Sequence, residues 1–300
     1  MTSNEKRPLV WFFGGMATQW KQMGIELMKI VAFKETIERC HTVLQAKNLD
    51  LKYILTGDDD EIFESNLRCC VGIGAVQIGL VNILKEIEVK PDYLLGISFG
   101  EVATAYADGC LTEEEAILSA YFRGLAVTEL KALGRTSLIG LNSEELRKVL
   151  PEDCDIATFL DPDAYVAPVA PKMLENIKTV ISEPKKRSDI WVSTSVHPEE
   201  WKEPKARTAS AEYFVSNFSG SVYLEQACRY LPKNSVILEI APHCLLKTTM
   251  EKNFPEGKYA GLSFRDSPKT LEVFQNALKT LSENGVELNW VKINTVFNGQ

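Results

Sequence analysis

Gly96-Ile97-Ser98-Phe99-Gly100, set directly after the apolar run Tyr93-Leu94-Leu95, restricts what this chain can fold into more than any other feature. It has the G-x-S-x-G form of a nucleophile elbow: a strand ends, the chain turns sharply and a helix begins, here at Glu101-Val102-Ala103. Side chains at the flanking positions would clash with the strand and the helix, which is why glycine stands there. The serine hydroxyl is then held in front of a helix N-terminus, whose free N–H groups stabilise negative charge. The same pentapeptide arises by chance in loops, so its strand-turn-helix context carries the meaning.

The rest of the chain alternates in the same way. Leu9-Val10-Trp11-Phe12-Phe13 is a continuous apolar run ended by Gly14-Gly15, as expected of a strand buried on both faces of a parallel sheet. Residues 19–43 have amphipathic helical periodicity, and residues 70–87 predict a long, mostly apolar helix. Thr112-Glu113-Glu114-Glu115 is a capping box that starts a further helix. Beyond it the pattern predicts a strand at 137–140, a short helix at 143–149, an irregular proline-rich stretch at 151–171 and a helix at 172–181. Strands follow at 190–194 and 236–240, with a late helix at 274–284. This order indicates an α/β fold with a mainly parallel sheet flanked by helices.

Composition narrows the function classes. With 300 residues, 45% hydrophobic and 25% charged, the chain can bury a sizeable core. A net charge of −8 argues against a nucleic-acid partner, which needs a basic face. No signal peptide is visible and no apolar run reads as a bilayer span, so no membrane partner is expected and the location expected is cytoplasmic. Seven cysteines, none in a C-x-x-C pair, suit reduced thiols better than a disulfide framework. The three histidines, His41, His197 and His243, are too few for a histidine-rich metal site, and no metal is expected.

Helix arithmetic brings a second residue to the serine. A helix from Phe99 to Asp108 runs away for roughly 14 Å, Asp108-Gly109-Cys110 turns the chain, and a helix from Thr112 returns about 16 Å before reaching Arg123. Packed antiparallel, the two helices return Arg123 to the level of Ser98. A guanidinium there either grips a substrate carboxylate by two parallel hydrogen bonds or pairs with a structural carboxylate.

Taken together, these residues resemble the malonyl/acetyl acyltransferase domain of animal-type fatty acid synthase. Val10 to Trp20 resembles the family's first strand and G-x-G-x-Q-W loop, Val76-Gln77-Ile78-Gly79-Leu80 the helix before the elbow, and Tyr121-Phe122-Arg123-Gly124 its arginine motif. Trp191-Val192-Ser193-Thr194-Ser195, Ala206 to Tyr213 and Leu238 to His243 resemble the C-terminal part, so the likeness runs over residues 8–292. It implies transfer of a malonyl or acetyl group from a coenzyme A thioester to the phosphopantetheine of an acyl carrier protein, through an acyl-Ser98 intermediate. No bound cofactor is implied; coenzyme A thioesters are substrates, and the other synthase domains are partners. The backbone N–H groups of Gln19 and Phe99 would form the oxyanion hole, Arg123 would hold the malonyl carboxylate, and the Asn217 carbonyl would orient a catalytic histidine.

The sequence departs from that family in two places. Ile97 stands where the family has histidine before the nucleophile. Near 150–170 the family's small ferredoxin-like subdomain is expected to be missing or truncated, and Pro162 falls where the catalytic histidine belongs. The alternative to an active transferase is therefore an impaired fragment or splice product retaining only binding or structural roles, with Lys185-Lys186-Arg187 as a docking patch for an acidic partner or simply a solvated turn. An esterase on the same elbow is disfavoured by the Gln19 and Arg123 motifs.

Overall fold

The apolar run at 9–13 forms β1 (Leu9–Phe13), the middle strand of a five-stranded sheet. We describe a computed structural model over residues 6–129, 148, 169–265, 267 and 269–298. In chain order the strands are β1, β2 (Tyr93–Gly96), β3 (Lys185–Lys186), β4 (Trp191–Val192), β5 (Thr208–Ala209), β6 (Val236–Ile240) and β7 (Lys258–Gly261). The main sheet has the order β4-β2-β1-β6-β7, and every pairing in it is parallel. Strands β3 and β5 form a separate antiparallel pair that the sequence pattern did not predict.

Period-two alternation explains why β1 is apolar throughout. Leu9, Trp11 and Phe13 face one core, while Val10 and Phe12 face a second with Ile237, Met250 and Phe254. Helices cover both faces: α1 (Val31–Gln45), α2 (Leu51–Thr56), α3 (Asn66–Glu86), α4 (Gly100–Ala107), α5 (Glu113–Glu129), α6 (Ala170–Lys178), α7 (Pro204–Arg207), α8 (Ala211–Ser219), α9 (Leu224–Cys228), α10 (Lys247–Asn253), α11 (Thr270–Glu283) and α12 (Trp290–Asn298). Register places Phe13 opposite both Gly96 and Ile240, so β1, β2 and β6 end at one level. Ligands of open α/β sheets bind outside these carboxyl ends.

Three expectations change. The helix expected over 19–43 begins only at Val31, because Gln22 has a φ of 66° and Gly24 lies against Leu55, where a Cβ would come within 2.9 Å of the Leu55 side chain. The strand expected over 190–194 stops at Val192, since the next N–H groups leave the ladder for side chains. α3 is, by length and composition, apolar enough to cross a bilayer, contrary to the sequence expectation; it is the buried central helix of the larger core. The strand at 137–140, the helix at 143–149, Pro162 and the shortened segment near 150–170 lie outside the described residues, apart from Lys148 and the start of α6.

One buried carboxylate gives the fold a pH dependence. Glu239 on β6 accepts the N–H groups of Leu245 and Leu246 at 3.0 and 3.2 Å, and the Tyr259 hydroxyl of β7. Burial pushes its pKa from 4.5 up to about 7, against the pull of those three donors. A raised carboxyl binds its proton more tightly folded than unfolded, so its contribution is full below about pH 4.5 and is lost as pH rises through about 7. Such a shift corresponds to about 3 kcal/mol. Denaturant titrations from pH 4.5 to 8 should show this decline, and Glu239→Gln should flatten it; an unchanged slope in that variant would assign the effect elsewhere.

Candidate active site

The elbow forms as its glycines require. Ile97 N–H donates to the Phe13 carbonyl at 3.0 Å, prolonging the β1–β2 ladder by one residue, and Ser98 then takes a φ of 50°. That left-handed conformation is unusual for a residue with a side chain and costs on the order of 1 kcal/mol. Phe99 is the N-cap of α4, so its N–H lies at the helix end where intrahelical acceptors are lacking. The loop after β1 passes close by: a Cβ at Gly15 would sit 3.0 Å from the Ile97 carbonyl and 3.7 Å from Ser98 Cβ. This loop carries Gln19, whose side-chain oxygen is buried, and is tied down by Trp20 Nε1 donating to the Pro242 carbonyl at 2.7 Å. Gln77 on α3 fixes the same edge, donating to the Gly14 and Ile240 carbonyls at 2.8 and 3.0 Å.

Arg123 reaches Ser98 as the helix arithmetic predicted. The capping box is present, with Thr112 N–H donating to Glu115 at 2.6 Å and Glu115 N–H to Thr112 Oγ1 at 3.2 Å. From that start α5 returns, and Arg123 Nη2 donates to Ser98 Oγ at 3.2 Å. Its Nη1 donates to Asn217 Oδ1 on α8. The guanidinium is 5% exposed and lies 5.8 and 5.3 Å from the rings of Phe99 and Phe218. Burial lowers its pKa to about 10, opposed by Cys70 and Glu101. Among the described residues no carboxylate forms an ion pair with it, so the structural-pair alternative has no partner there. A buried cation left this way costs several kcal/mol, and a bound anion would offset that cost.

Glu101, in the first turn of α4, was within the quoted motif but had been given no role. It is fully buried. Its carboxylate accepts Trp191 Nε1 at 2.8 Å, Thr194 N–H at 2.8 Å and Ser195 Oγ at 3.3 Å. Burial raises its pKa, opposed by Arg187 and by the bonds from Thr194 and Trp191. Ser195 in turn accepts Asn217 Nδ2 at 2.7 Å, so Asn217 touches Arg123 and Ser195 with its side chain. Its expected role was confined to its backbone carbonyl. A charged residue alone in an otherwise apolar helix start was the one sequence signal for Glu101.

The three histidines sit on separate elements. His41 is buried on α1 with Nδ1 3.6 Å from Asp50. His197 caps a short turn by accepting Glu199 N–H at 3.4 Å, on the wall of a cavity of about 340 Å³ that also includes Ser195. His243, beyond β6, accepts Arg265 N–H at 3.1 Å. The basic run is also reassigned: Lys185 and Lys186 are exposed, but Arg187 is buried, donating to the Ala206 and Trp191 carbonyls and stacked 4.2 Å over the Trp191 ring. No three His, Cys, Asp or Glu side chains among the described residues are grouped to hold a metal ion.

Residues 10–167 and 161–287 match the family model described as the acyl transferase domain. The chain belongs to the acyl transferase domain family. Within it, this acyl transferase domain is 37% identical over 153 residues to a highly reducing polyketide synthase of Neurospora crassa, covering 49% of this chain and 6% of that protein. It is 26% identical over 294 residues to another from Glarea lozoyensis, covering 82% and 12%, and 30% identical over 157 residues to the 6-methylsalicylic acid synthase of Aspergillus terreus, covering 52% and 8%. The chain therefore spans about an eighth or less of the length of these relatives, which are polyketide synthases and not animal fatty acid synthases. Among solved structures, the acyltransferase domain from the second module of the salinomycin polyketide synthase superposes with a TM-score of 0.74 at 19% identity, covering 96% of this chain and 76% of that one. A loading acyltransferase of the avermectin synthase gives 0.72 at 20% identity, covering 91% and 99%. These likenesses establish the α/β acyltransferase fold.

Proposed function

We propose that this acyl transferase domain moves malonyl and acetyl groups from coenzyme A to the phosphopantetheine thiol of an acyl carrier protein, serving fatty acid or related polyketide assembly in the cytoplasm. The observation that carries the reading is the buried Arg123 guanidinium bonded to the hydroxyl of an elbow serine. Ser98 Oγ attacks the thioester carbonyl, its C–O bond forms as the C–S bond breaks, and the serine proton ends on the departing coenzyme A thiol. The carrier thiol then attacks the acyl-Ser98 ester and restores the hydroxyl. The N–H groups of Phe99 and Gln19 serve as oxyanion donors, one at the N-cap of α4 and the other on the loop packed against the elbow. Arg123 holds the malonyl carboxylate, and a donor to Ser98 Oγ also favours its deprotonated form.

A second reading, an impaired fragment with binding or structural roles, is favoured by Ile97 before the nucleophile and by the separate placements of the three histidines. The two segments matched by the family model meet near 161–167, which supports a chain shortened there, with Pro162 near the joint. In that reading the Asn217 carbonyl has no family histidine to orient.

Incubation of the purified domain with malonyl-coenzyme A should leave an acyl mass on the peptide containing Ser98, absent in Ser98→Ala. Arg123→Ala should cut malonyl labelling at least tenfold more than acetyl labelling, the scale expected for one charge-assisted contact. A folded protein with no adduct would establish the second reading; equal losses would remove the carboxylate clamp.

A further inference from the structure

Two side chains, Asn217 and Ser195, link Arg123 to Glu101 through three hydrogen bonds, and each of these bonds has a defined direction. The guanidinium can only donate, so Asn217 must present Oδ1 to it. Its Nδ2 then faces Ser195 Oγ at 2.7 Å, and the Ser195 hydroxyl passes its own proton toward Glu101 Oε1 at 3.3 Å. Thr194 N–H and Trp191 Nε1 converge on the same carboxylate, which holds it as an acceptor. Asn217 and Ser195 are buried. Arg123 comes from α5, Asn217 from α8 and Ser195 from the segment after β4. The relay is thus the connection that sets where the guanidinium stands relative to Ser98.

We propose that Asn217, held by Ser195 and Glu101, positions the Arg123 guanidinium and thereby sets the preference for acyl groups that carry a free carboxylate. This rests on the acyl-transfer reading for the identity of the ligand. Arg123 has five N–H donors, and the contacts to Ser98 and Asn217 use one on each terminal nitrogen. The neutral amide fixes the guanidinium without neutralising it, so the charge remains for a substrate carboxylate. An acid at 217 would hold the same pose and cancel that charge internally.

The test measures binding of malonyl- and acetyl-coenzyme A to Ser98→Ala protein by calorimetry, which needs no turnover. The parent Ser98→Ala should bind malonyl-coenzyme A at least tenfold more tightly than acetyl-coenzyme A. Adding Asn217→Asp should abolish that ratio. Adding Ser195→Ala should lower it severalfold, and Ser195→Thr, which keeps the hydroxyl, should restore it; a general packing role would weaken both ligands together. A parent with no malonyl preference, or an Asn217→Asp variant with a cooperative melt that keeps it, overturns the proposal. Loss of the ratio in Asn217→Asp alongside absent Ser98 labelling in the unsubstituted domain would uphold the positioning role while removing catalysis.

Discussion

Gly100→Ala should cost about 3 kcal/mol of stability or more, the upper range for adding a methyl to a closed site. A Cβ at Gly100 would lie 2.2 Å from the Phe13 carbonyl oxygen, 2.8 Å from the Phe13 carbonyl carbon and 2.9 Å from the Gly14 oxygen. All three are backbone atoms at the end of β1, and β1 is paired along both edges. Relief therefore requires either α4 to lift from the sheet or two ladders to shift, and either movement displaces Ser98. Gly109→Ala provides the comparison: its site has nothing within 4 Å, but its φ of 78° strains any side chain, costing about 1 kcal/mol. Chemical denaturation of the two variants should separate them by about 2 kcal/mol. A Gly100→Ala protein as stable as Gly109→Ala would show that the elbow tolerates far more movement than its contacts allow.

These two glycines mark how much of the structure could be read before it was seen. Where a local rule acts, the sequence reading holds: the apolar run at 9–13 is the middle strand, the capping box starts α5 at Glu113, and helix lengths bring Arg123 back to Ser98. It fails where a distant contact decides. The Ser193–Thr194 segment reads as the end of a strand over 190–194, yet Thr194 bonds to Glu101, 93 residues away, and the ladder stops. Arg187 reads as part of a basic run, but the Trp191 ring and two carbonyls draw it inside. Asn217 was given a backbone role by resemblance; its side-chain role depends on α5 and α8 meeting, which no periodicity encodes.

Glu101→Gln should have the largest effect of any single-atom change in the site. The carboxylate faces four donors, Trp191 Nε1 on one oxygen and the Thr194 N–H, Thr194 hydroxyl and Ser195 hydroxyl on the other. An amide has one acceptor oxygen, so one side must face donor to donor. If the amide nitrogen faces Trp191, the buried indole N–H is orphaned. Turned the other way, it opposes the Thr194 N–H and takes from the Ser195 hydroxyl, which already accepts from Asn217 Nδ2, the carboxylate oxygen it donates to. Removing the charge also takes away the electrostatic support that Glu101 gives the buried Arg123. The expected loss is about 2–4 kcal/mol, combining an unsatisfied buried donor with the loss of charge-assisted hydrogen bonds to the carboxylate. Stability should be read by urea denaturation and site order by Ser98 labelling with malonyl-coenzyme A. Both should fall together, and Glu101→Asp, which keeps the charge but shortens the reach, should recover part of the stability. If Glu101→Gln is as stable as the parent, the carboxyl is already protonated in the folded protein, and the relay then runs from a neutral acid.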